Sequence, residues 1–392
     1  MQWADEVIQY KEELIDIRRY LHMNPELSFH ESNTAAFIAD YLTKLDIPVT
    51  TNVGGHGLFG KISGNAEGPT VLLRADIDAL SIQDQKDVPY RSSVPGVMHA
   101  CGHDGHTAML LITSKILKKH ESEIKGNVIV CFQHAEEVLP GGAISMIEAG
   151  VLTDVDYVFG AHTSSAMDTG NVGFITGPAY GIADDINITV QGKGGHGATP
   201  HVTHDAIIAT SHLISQFQTI VSRNVDPIET GVVTIGEFKG GDAFNVIADS
   251  VKLTGTVRSY KEDIKAIIIE RLNEISKGIE QSFNVHVDFK YTHGYPALIN
   301  SERETLWLQS VAEETNGIKN VVKMNRTLGG EDFAYFLQNR PGTYFNVGVK
   351  NSAIQADFPH HHPKFDMDEH GLLNGPRVFL SLVERMDELK NA

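Results

Sequence analysis

The chain has 392 residues, 41% of them hydrophobic and 21% charged, a globular composition at a length typical of two domains. Its net charge of -18 at pH 7 excludes nucleic acid and anionic membrane surfaces from the expected partners. The N-terminal pattern is charged and amphipathic and no apolar run approaches the ~18 residues of a membrane span, so neither a signal peptide nor a membrane anchor is expected. With only Cys101 and Cys131 present, we expect no disulfide framework and a reducing, cytoplasmic location.

The first part of the chain alternates helical and strand patterns. Helices are predicted at 1–22, 34–45, 106–120 and 141–152, and buried strands at 70–80 ("TVLLRADIDAL"), 126–132 ("GNVIVCF") and 155–162 ("VDYVFGAH"). This alternation predicts an α/β domain with a mostly parallel sheet and helices on both faces. Ligands of such sheets gather at the carboxyl ends of the strands.

The pattern changes near residue 185. Strands at 185–192, 231–241, 250–259 and 285–294, with helices at 205–221 and 261–283, follow a β-α-β-β-α-β order. That order is typical of a small ferredoxin-like α+β domain. Helices at 301–316 and 330–338, a strand at 342–349 and a closing helix from 370 then resume the first pattern. We therefore predict a catalytic domain in two parts, 1–184 and 296–392, interrupted by a lid and dimerisation domain at 185–295.

The stretch "VMHACGHDGH" at 97–106 concentrates ligand chemistry in ten positions. A redox site is disfavoured because there is no Cys-x-x-Cys motif. A nucleophilic Cys101 stays open, although catalytic Cys/His pairs usually come from separate parts of a chain. A metal site is favoured, since the thiolate of Cys101 and the imidazole of His103 both suit zinc, manganese or cobalt. Asp104 is also expected to cap the helix that follows.

Further candidate ligands and bases follow predicted strands. Glu136 and Glu137 stand side by side after a buried strand, so one can bind metal while the other stays available as a base. His162 ends another predicted strand, and its position taken alone favours a core histidine. The late segment "FPHHHPKFDMDE" carries three consecutive histidines at 360–362. Its prolines predict an extended conformation in which neighbouring side chains alternate, so that one histidine is the ligand.

Motifs along the whole chain resemble those of the amidohydrolase branch of the M20 metallopeptidase family. They are "RADIDAL", "MHACGHDGHTAMLL", "QHAEE", "GKGGHGATPH", "SRNVDP", "GTVRS", "GGEDFAYFLQNRPG" and "HHPKFDMDE", in the family's order. The branch includes aminoacylases, hippurate hydrolases and auxin-conjugate hydrolases. Its fold, a catalytic α/β domain with an inserted ferredoxin-like lid, agrees with the pattern analysis above.

The resemblance implies a site with two divalent metal ions, which would be manganese, zinc or cobalt. The implied ligands are Cys101, His103, Glu137, His162 and His361, the last because it stands two residues before Pro363. Glu136 matches the general base, and Asp76 matches the aspartate that orients a ligand histidine. The wider family has histidine where Arg74 stands, and many members have proline at the position of Ser81.

The resemblance also implies the substrate and its contacts. His196 is expected to reach the substrate carbonyl, and Asn245 and Arg258 the polar end of the substrate, although Arg258 could instead form a surface salt bridge. The implied reaction is hydrolysis of an N-acyl amino acid or related small conjugate by metal-activated water, in a homodimer joined through the lid. Three alternatives stay open: dipeptide hydrolysis of the aminopeptidase or carboxypeptidase type, a cysteine hydrolase using Cys101, and a non-catalytic metal-binding protein.

Overall fold

A computed structural model describes residues 2–390. The strands, in chain order, are β1 Val49–Val53, β2 Gly57–Ser63, β3 Ala66–Asp76, β4 Lys125–Gln133, β5 Tyr157–Asp168, β6 Asn171–Phe174, β7 Gly177–Tyr180, β8 Ile182–Gln191, β9 Gly195–His196, β10 Gly231–Gly240, β11 Val246–Ile247, β12 Ser250–Ser259, β13 His286–Tyr295, β14 Leu298–Asn300, β15 Asn320–Lys323 and β16 Gly342–Lys350. The α-helices are α1 Lys11–Met23, α2 Ser32–Lys44, α3 His103–Lys119, α4 Ala143–Glu148, α5 Ala206–Arg223, α6 Glu262–Phe283, α7 Glu302–Glu314, α8 Ala334–Asn339 and α9 Asn374–Glu384. Short 3-10 helices lie at Trp3–Tyr10, Glu121–Glu123, Pro200–Val202, Ser352–Ile354, Gly371–Leu373 and Met386–Lys390.

The chain divides into two compact units. The first comprises Met1–Ala179, Ile299–Arg326 and Asp332–Ala392, and the second comprises Tyr180–Leu298 and Thr327–Glu331. The unit boundaries thus differ by a few residues from the predicted domain boundaries, 184/185 and 295/296. The role of the second unit as a lid remains a prediction.

The first unit is built on an eight-stranded sheet of order β1-β2-β4-β3-β5-β16-β6-β15. β3 runs parallel to β4 and β5, β5 parallel to β16, and β6 parallel to β15, whereas the β1–β2, β2–β4 and β6–β16 pairs are antiparallel. The central strands are buried along most of their length, as expected where helices cover both faces. The predicted α/β class with a mostly parallel sheet is confirmed.

Helix α3 packs against α1, α9 and β3 and begins at His103, three residues before its predicted start. Gly102 precedes it with a φ of 90°, a left-handed conformation that favours glycine. A Cβ atom at this position would lie 2.3 Å from the Thr163 hydroxyl. Glycine therefore allows the first turn of α3 to approach β5 closely, which fixes where His103 enters the site.

The second unit has an antiparallel sheet of order β10-β12-β8-β13, with α5 and α6 packed against it. This is the ferredoxin-like order predicted for the insertion. The alternating residues of β8, Ile186, Ile188 and Val190, are all buried in its core, as their spacing predicted. Asp205 caps α5 by accepting hydrogen bonds from the backbone N–H groups of Ile207 and Ile208. Within residues 2–390, none of the helices combines the length and apolarity needed to cross a bilayer.

Candidate metal centre

The candidate site in the first unit lies where neighbouring parallel strands end. Asp76 is the last residue of β3, and Glu136 and Glu137 follow the end of β4 at Gln133. His162 lies within β5, which continues to Asp168 rather than ending at the histidine as predicted. His103 is the first residue of α3. The carboxyl ends of adjacent parallel strands share one edge of the sheet, so these elements bring their polar side chains together.

Three overlapping groups of potential ligand atoms each contain at least two of the predicted ligands, and the members of each group lie within 4.8 Å of one another. The groups are Cys101 with His103 and His162, Cys101 with Glu137 and His361, and His103 with Glu136 and Glu137. The structure therefore brings together all the side chains that the sequence predicted as ligands, along with the predicted base. Cys101 belongs to two of these groups, so its sulfur would be a candidate ligand in both.

Hydrogen bonds orient the ring nitrogens of two of these histidines. Nδ1 of His103 lies 3.1 Å from a carboxylate oxygen of Asp78, and Nδ1 of His162 donates to the carbonyl of Thr163 at 2.6 Å. In the neutral form of each ring, a proton held on Nδ1 leaves the lone pair on Nε2, which is the form that binds a metal. Nε2 of His162 lies 3.5 Å from the Cys101 sulfur.

Two buried atoms in this cluster fit a cation. Among the described residues, Nε2 of His103 and Oε1 of Glu137 have no hydrogen-bond partner, and the two atoms lie 3.8 Å apart. Nε2 of His361 lies 3.4 Å from the same Glu137 oxygen. Buried polar atoms without partners are costly, and a bound cation would satisfy these. The mixed sulfur, nitrogen and oxygen donors suit zinc, manganese or cobalt.

The charges around the cluster also favour a bound cation. Burial opposes protonation of His103, but the carboxylates of Asp76, Asp78 and Glu137 outweigh it and raise the pKa of this histidine to about 10. Burial, with the charges of Glu137, Glu136 and Asp76, raises the pKa of the Cys101 thiol well above its usual value. The site thus has an excess of negative charge, and the thiolate needs a nearby cation to form.

The carboxylate that orients His103 is Asp78; the resemblance implied that Asp76 orients a ligand histidine. Asp76 instead lies 2.6 Å from Nδ1 of His106 and accepts a hydrogen bond from the fully buried Arg74. β3 ends at Asp76, and the chain beyond it turns Asp78 toward His103. Asp78 also accepts a hydrogen bond from the backbone N–H of Glu137 at 3.0 Å, so it supports two candidate ligands. In the sequence, Asp78 is the second aspartate of "RADIDAL", and this position was the feature that could have identified it.

His106 is a further residue that the sequence analysis did not assign. Its Nε2 accepts a hydrogen bond from the backbone N–H of Thr163 at 2.9 Å, while its Nδ1 faces Asp76. Its ring also contacts that of His162, with centroids 4.6 Å apart. His106 therefore supports the segment that carries a candidate ligand. In the sequence, its position in "CGHDGH", one helical turn after His103, was the feature that could have identified it.

The three consecutive histidines lie in a turn, which corrects the extended conformation predicted for them. His361 has a left-handed φ of 64°, and its backbone N–H donates to the carbonyl of Ala100 at 2.8 Å. This bond holds the turn beside the loop that carries Cys101, and it directs the His361 ring toward Glu137. Nε2 of His360 instead accepts from the backbone N–H of Ser165 at 3.3 Å. His362 stacks on Phe358.

A buried charge network surrounds Asp104, the residue predicted to cap α3. The residue before the helix is Gly102, and Asp104 instead contacts the fully buried Arg18 at 2.9 Å and Nδ1 of His22 at 2.7 Å. Arg18 also pairs with Asp366 at 3.0 Å and with Glu369 at 3.2 Å. Arg18 thus joins the first helix, the start of α3 and the C-terminal segment.

The three residues predicted to bind substrate lie in the second unit. His196 on β9 pairs with Val246 on β11, and the carbonyl of Asn245 accepts a hydrogen bond from the N–H of Gly197 at 2.8 Å. The structure thus brings His196 and Asn245 together, and both are exposed. The first residue of β12 pairs with the end of β8, next to the loop that carries β9. Arg258 lies eight residues further along β12, about 27 Å away. It is not part of the same cluster.

Comparison with known proteins gives the class of the molecule. The chain matches peptidase family M20/M25/M40 over residues 72–385. It is 47% identical over 367 residues to YhaA of Bacillus subtilis, named as an amidohydrolase, covering 94% of this chain and 93% of that protein. It is 38% identical over 376 residues to the N-acetyl-L-cysteine deacetylase of the same organism, covering 96% and 88%.

Solved structures show the same relationship. An aminohydrolase structure from methicillin-resistant Staphylococcus aureus has a TM-score of 0.91 at 40% identity, covering 98% of this chain and 99% of that one. The structure of Bacillus subtilis YXEP, described as a dinuclear metal-binding peptidase, has a TM-score of 0.83 at 32% identity, covering 97% and 99%. The molecule is a hydrolase that acts on linear amide or peptide bonds. The chain belongs to the M20/M25/M40 peptidase family, within its amidohydrolases.

Proposed function

We propose that the chain hydrolyses the amide bond of N-acyl amino acids or closely related conjugates, with Glu136 as general base. The observation that carries this proposal is the ligand cluster with a second carboxylate beside it. Ligand atoms of His103, Glu136 and Glu137 lie within 4.8 Å of one another, so one glutamate can bind a cation while the other handles protons. Glu136 is 7% exposed, which shields it from bulk water.

The proposed ligands of two divalent cations are Cys101, His103, Glu137, His162 and His361. When bound, such cations polarise a substrate carbonyl and lower the pKa of water. Glu136 would then accept a proton from the attacking water and pass it to the departing amine. The Asp78 carboxylate would keep the His103 ring oriented during turnover. His196 and Asn245 are proposed to contact the substrate on the basis of the motif resemblance, and Arg258 is proposed on the same basis to contact it apart from that pair.

The names of the relatives support the proposed substrate class. A relative covered over 88% of its length is named for removing an acetyl group from an amino acid. A panel of N-acetyl, N-benzoyl and N-succinyl amino acids, together with dipeptides, tests the proposal in the zinc, manganese and cobalt forms. We expect acylated amino acids to be cleaved faster than dipeptides, and a chelator to abolish turnover. Faster cleavage of dipeptides by the same site would favour the peptidase alternative.

The cysteine-hydrolase alternative is disfavoured by the electrostatics of its nucleophile. Catalytic thiols have lowered pKa values, whereas burial and neighbouring carboxylates raise the pKa of Cys101. His162 supplies an imidazole beside the Cys101 sulfur. Its Nδ1 is bonded to the carbonyl of Thr163, so its Nε2 faces the sulfur. Burial and the neighbouring His106 and His360 hold the pKa of His162 well below its usual value. This environment favours a neutral ligand over an imidazolium that would stabilise a thiolate.

Alanine in place of His361 should remove one of the proposed metal ligands. Its Nε2 faces Glu137 at 3.4 Å, whereas Nε2 of His360 and Nδ1 of His362 accept hydrogen bonds from backbone N–H groups. We expect His361→Ala to lower metal content and to cost about 10-fold to 100-fold in activity, and the variants of the other two to retain both metals. Metal analysis of the three purified variants provides the measurement. If His362→Ala loses metal instead, His362 is the ligand and our alignment of this motif is wrong by one residue.

We further propose that the chain forms a homodimer through its second unit. Among the described residues β10 has a strand neighbour on one side only, which leaves a row of N–H and C=O groups at the sheet edge. Ile228, just before this strand, is 84% exposed, and Phe238 within it is 44% exposed. Light scattering at micromolar concentration should give twice the chain mass of 43.0 kDa. A mass equal to that of one chain would contradict the proposal.

A further inference from the structure

Glu31 is a buried carboxylate in the first unit that no motif in the sequence singled out. It directly precedes α2 and has a relative exposure of 0%. One oxygen, Oε1, accepts hydrogen bonds from the backbone N–H groups of Phe29 at 3.0 Å and Ala135 at 2.8 Å. The other oxygen, Oε2, has no hydrogen-bond partner among residues 2–390. Burying a carboxylate with one oxygen unpaired costs free energy of folding. A role in the site, acting through the bond to Ala135, would account for its presence.

Ala135 has an unusual backbone conformation next to the proposed base. Its φ of 51° is left-handed, a strained conformation for a residue with a Cβ. Such strain persists only where surrounding contacts determine it. Here the N–H of Ala135 is held by Glu31, and its carbonyl accepts a hydrogen bond from Gly142 at 3.0 Å. The conformation of Ala135 sets the direction in which the next two residues, Glu136 and Glu137, leave the strand.

We propose that Glu31 is a positioning residue that holds the Glu136–Glu137 loop through the backbone of Ala135. The inference rests on the proposed function, because it assigns to this loop the base and one metal ligand. Asp78 fixes the same loop through the N–H of Glu137. Glu31 and Asp78 therefore hold the two backbone N–H groups on either side of Glu136. Displacing a reacting group by 1 Å costs about 100-fold in rate, which gives the scale of the effect.

Two substitutions separate this role from that of a charged or proton-carrying group. Glu31→Gln keeps an oxygen that can accept from both backbone N–H groups, whereas Glu31→Ala leaves the buried N–H of Ala135 without a partner. We expect Glu31→Ala to lower kcat by about 10-fold to 100-fold with KM changed less than about 3-fold. Glu31→Gln should remain within about 3-fold of the wild type in kcat.

Metal affinity gives a second readout that does not depend on turnover. Glu137 lies in the same loop, so Glu31→Ala should weaken cobalt binding by about 10-fold, measured by chelator competition through the visible absorption of the cobalt–thiolate form. Glu31→Gln should bind cobalt as the wild type does. This measurement still tests the role of Glu31 if the chain cleaves no acylated amino acid, the result that would defeat the proposed function alone.

Glu26 provides a matched control in the same segment. Its carboxylate accepts from the backbone N–H groups of Asn33 and Thr34 in the first turn of α2, so Glu26→Ala disturbs that helix without touching Ala135. Glu26→Ala should lower the melting temperature while kcat and cobalt affinity stay unchanged. The proposal is overturned if Glu26→Ala lowers kcat as much as Glu31→Ala. It is also overturned if Glu31→Ala and Glu31→Gln behave alike in both kcat and cobalt affinity.

Discussion

Replacing Glu136 by glutamine should lower kcat by about 100-fold to 10,000-fold while the purified protein keeps both metal ions. The amide of glutamine has nearly the shape of the carboxylate but cannot accept a proton from water at neutral pH. The proposed metal ligands are unchanged in this variant, and the loop contacts through Ala135 and Glu137 are backbone bonds that it retains. Steady-state kinetics with metal analysis of the same preparation measures both effects.

The neighbouring glutamate is the control for this prediction. Glu137→Gln makes the same chemical change one residue further on, where we place a ligand that lies 3.4 Å from Nε2 of His361. We expect this variant to lose metal along with activity. If Glu136→Gln loses its metals while Glu137→Gln keeps them, the roles assigned to the two carboxylates are exchanged.

Serine at position 101 should weaken metal binding by more than about 10-fold, equivalent to about 1.4 kcal/mol, because a hydroxyl is a poorer ligand than a thiolate. The Cys101 sulfur belongs to two of the ligand groups, so both cation positions should be affected. Chelator competition against the cobalt form measures the loss. Excess metal in the assay should restore part of the activity of Cys101→Ser.

Cys131 is the matched control for the thiol. It is buried in β4, and burial raises the pKa of its thiol to about 12. Cys131→Ala should leave metal affinity unchanged, with any cost confined to stability. A different outcome for Cys101→Ser, in which activity disappears while metal stays fully bound, would support the cysteine-hydrolase alternative instead. That alternative would also require the chelated wild type to stay active.

The sequence predicted the central strands of the first unit well but missed its outer strands. β3, β4 and β16 are buried, so their apolar runs are visible in the sequence. β1 and β15 are short and largely exposed, and their residues do not show a buried pattern. Their pairing depends on neighbours supplied by the tertiary fold, which local patterns do not encode.

The candidate ligands were predictable because they stand in compact motifs, whereas their supporting residues were not. The sequence contains both Asp76 and Asp78, but only the course of the chain after β3 shows which one faces His103. Glu31 contacts the loop before Glu136 from a segment about a hundred positions away. Such pairings arise from the packing of distant elements, and a single sequence carries no local pattern for them.

The ion pairs of Arg18 have a consequence for how the protein is made. This guanidinium joins α1 to Asp104, next to His103, and to Asp366 and Glu369 near the end of the chain. His361 comes from that same late segment. A chain still on the ribosome therefore lacks Asp366, Glu369 and one proposed ligand until its last part has emerged. We therefore expect the complete site to be loaded with metal only after translation, on a finished chain.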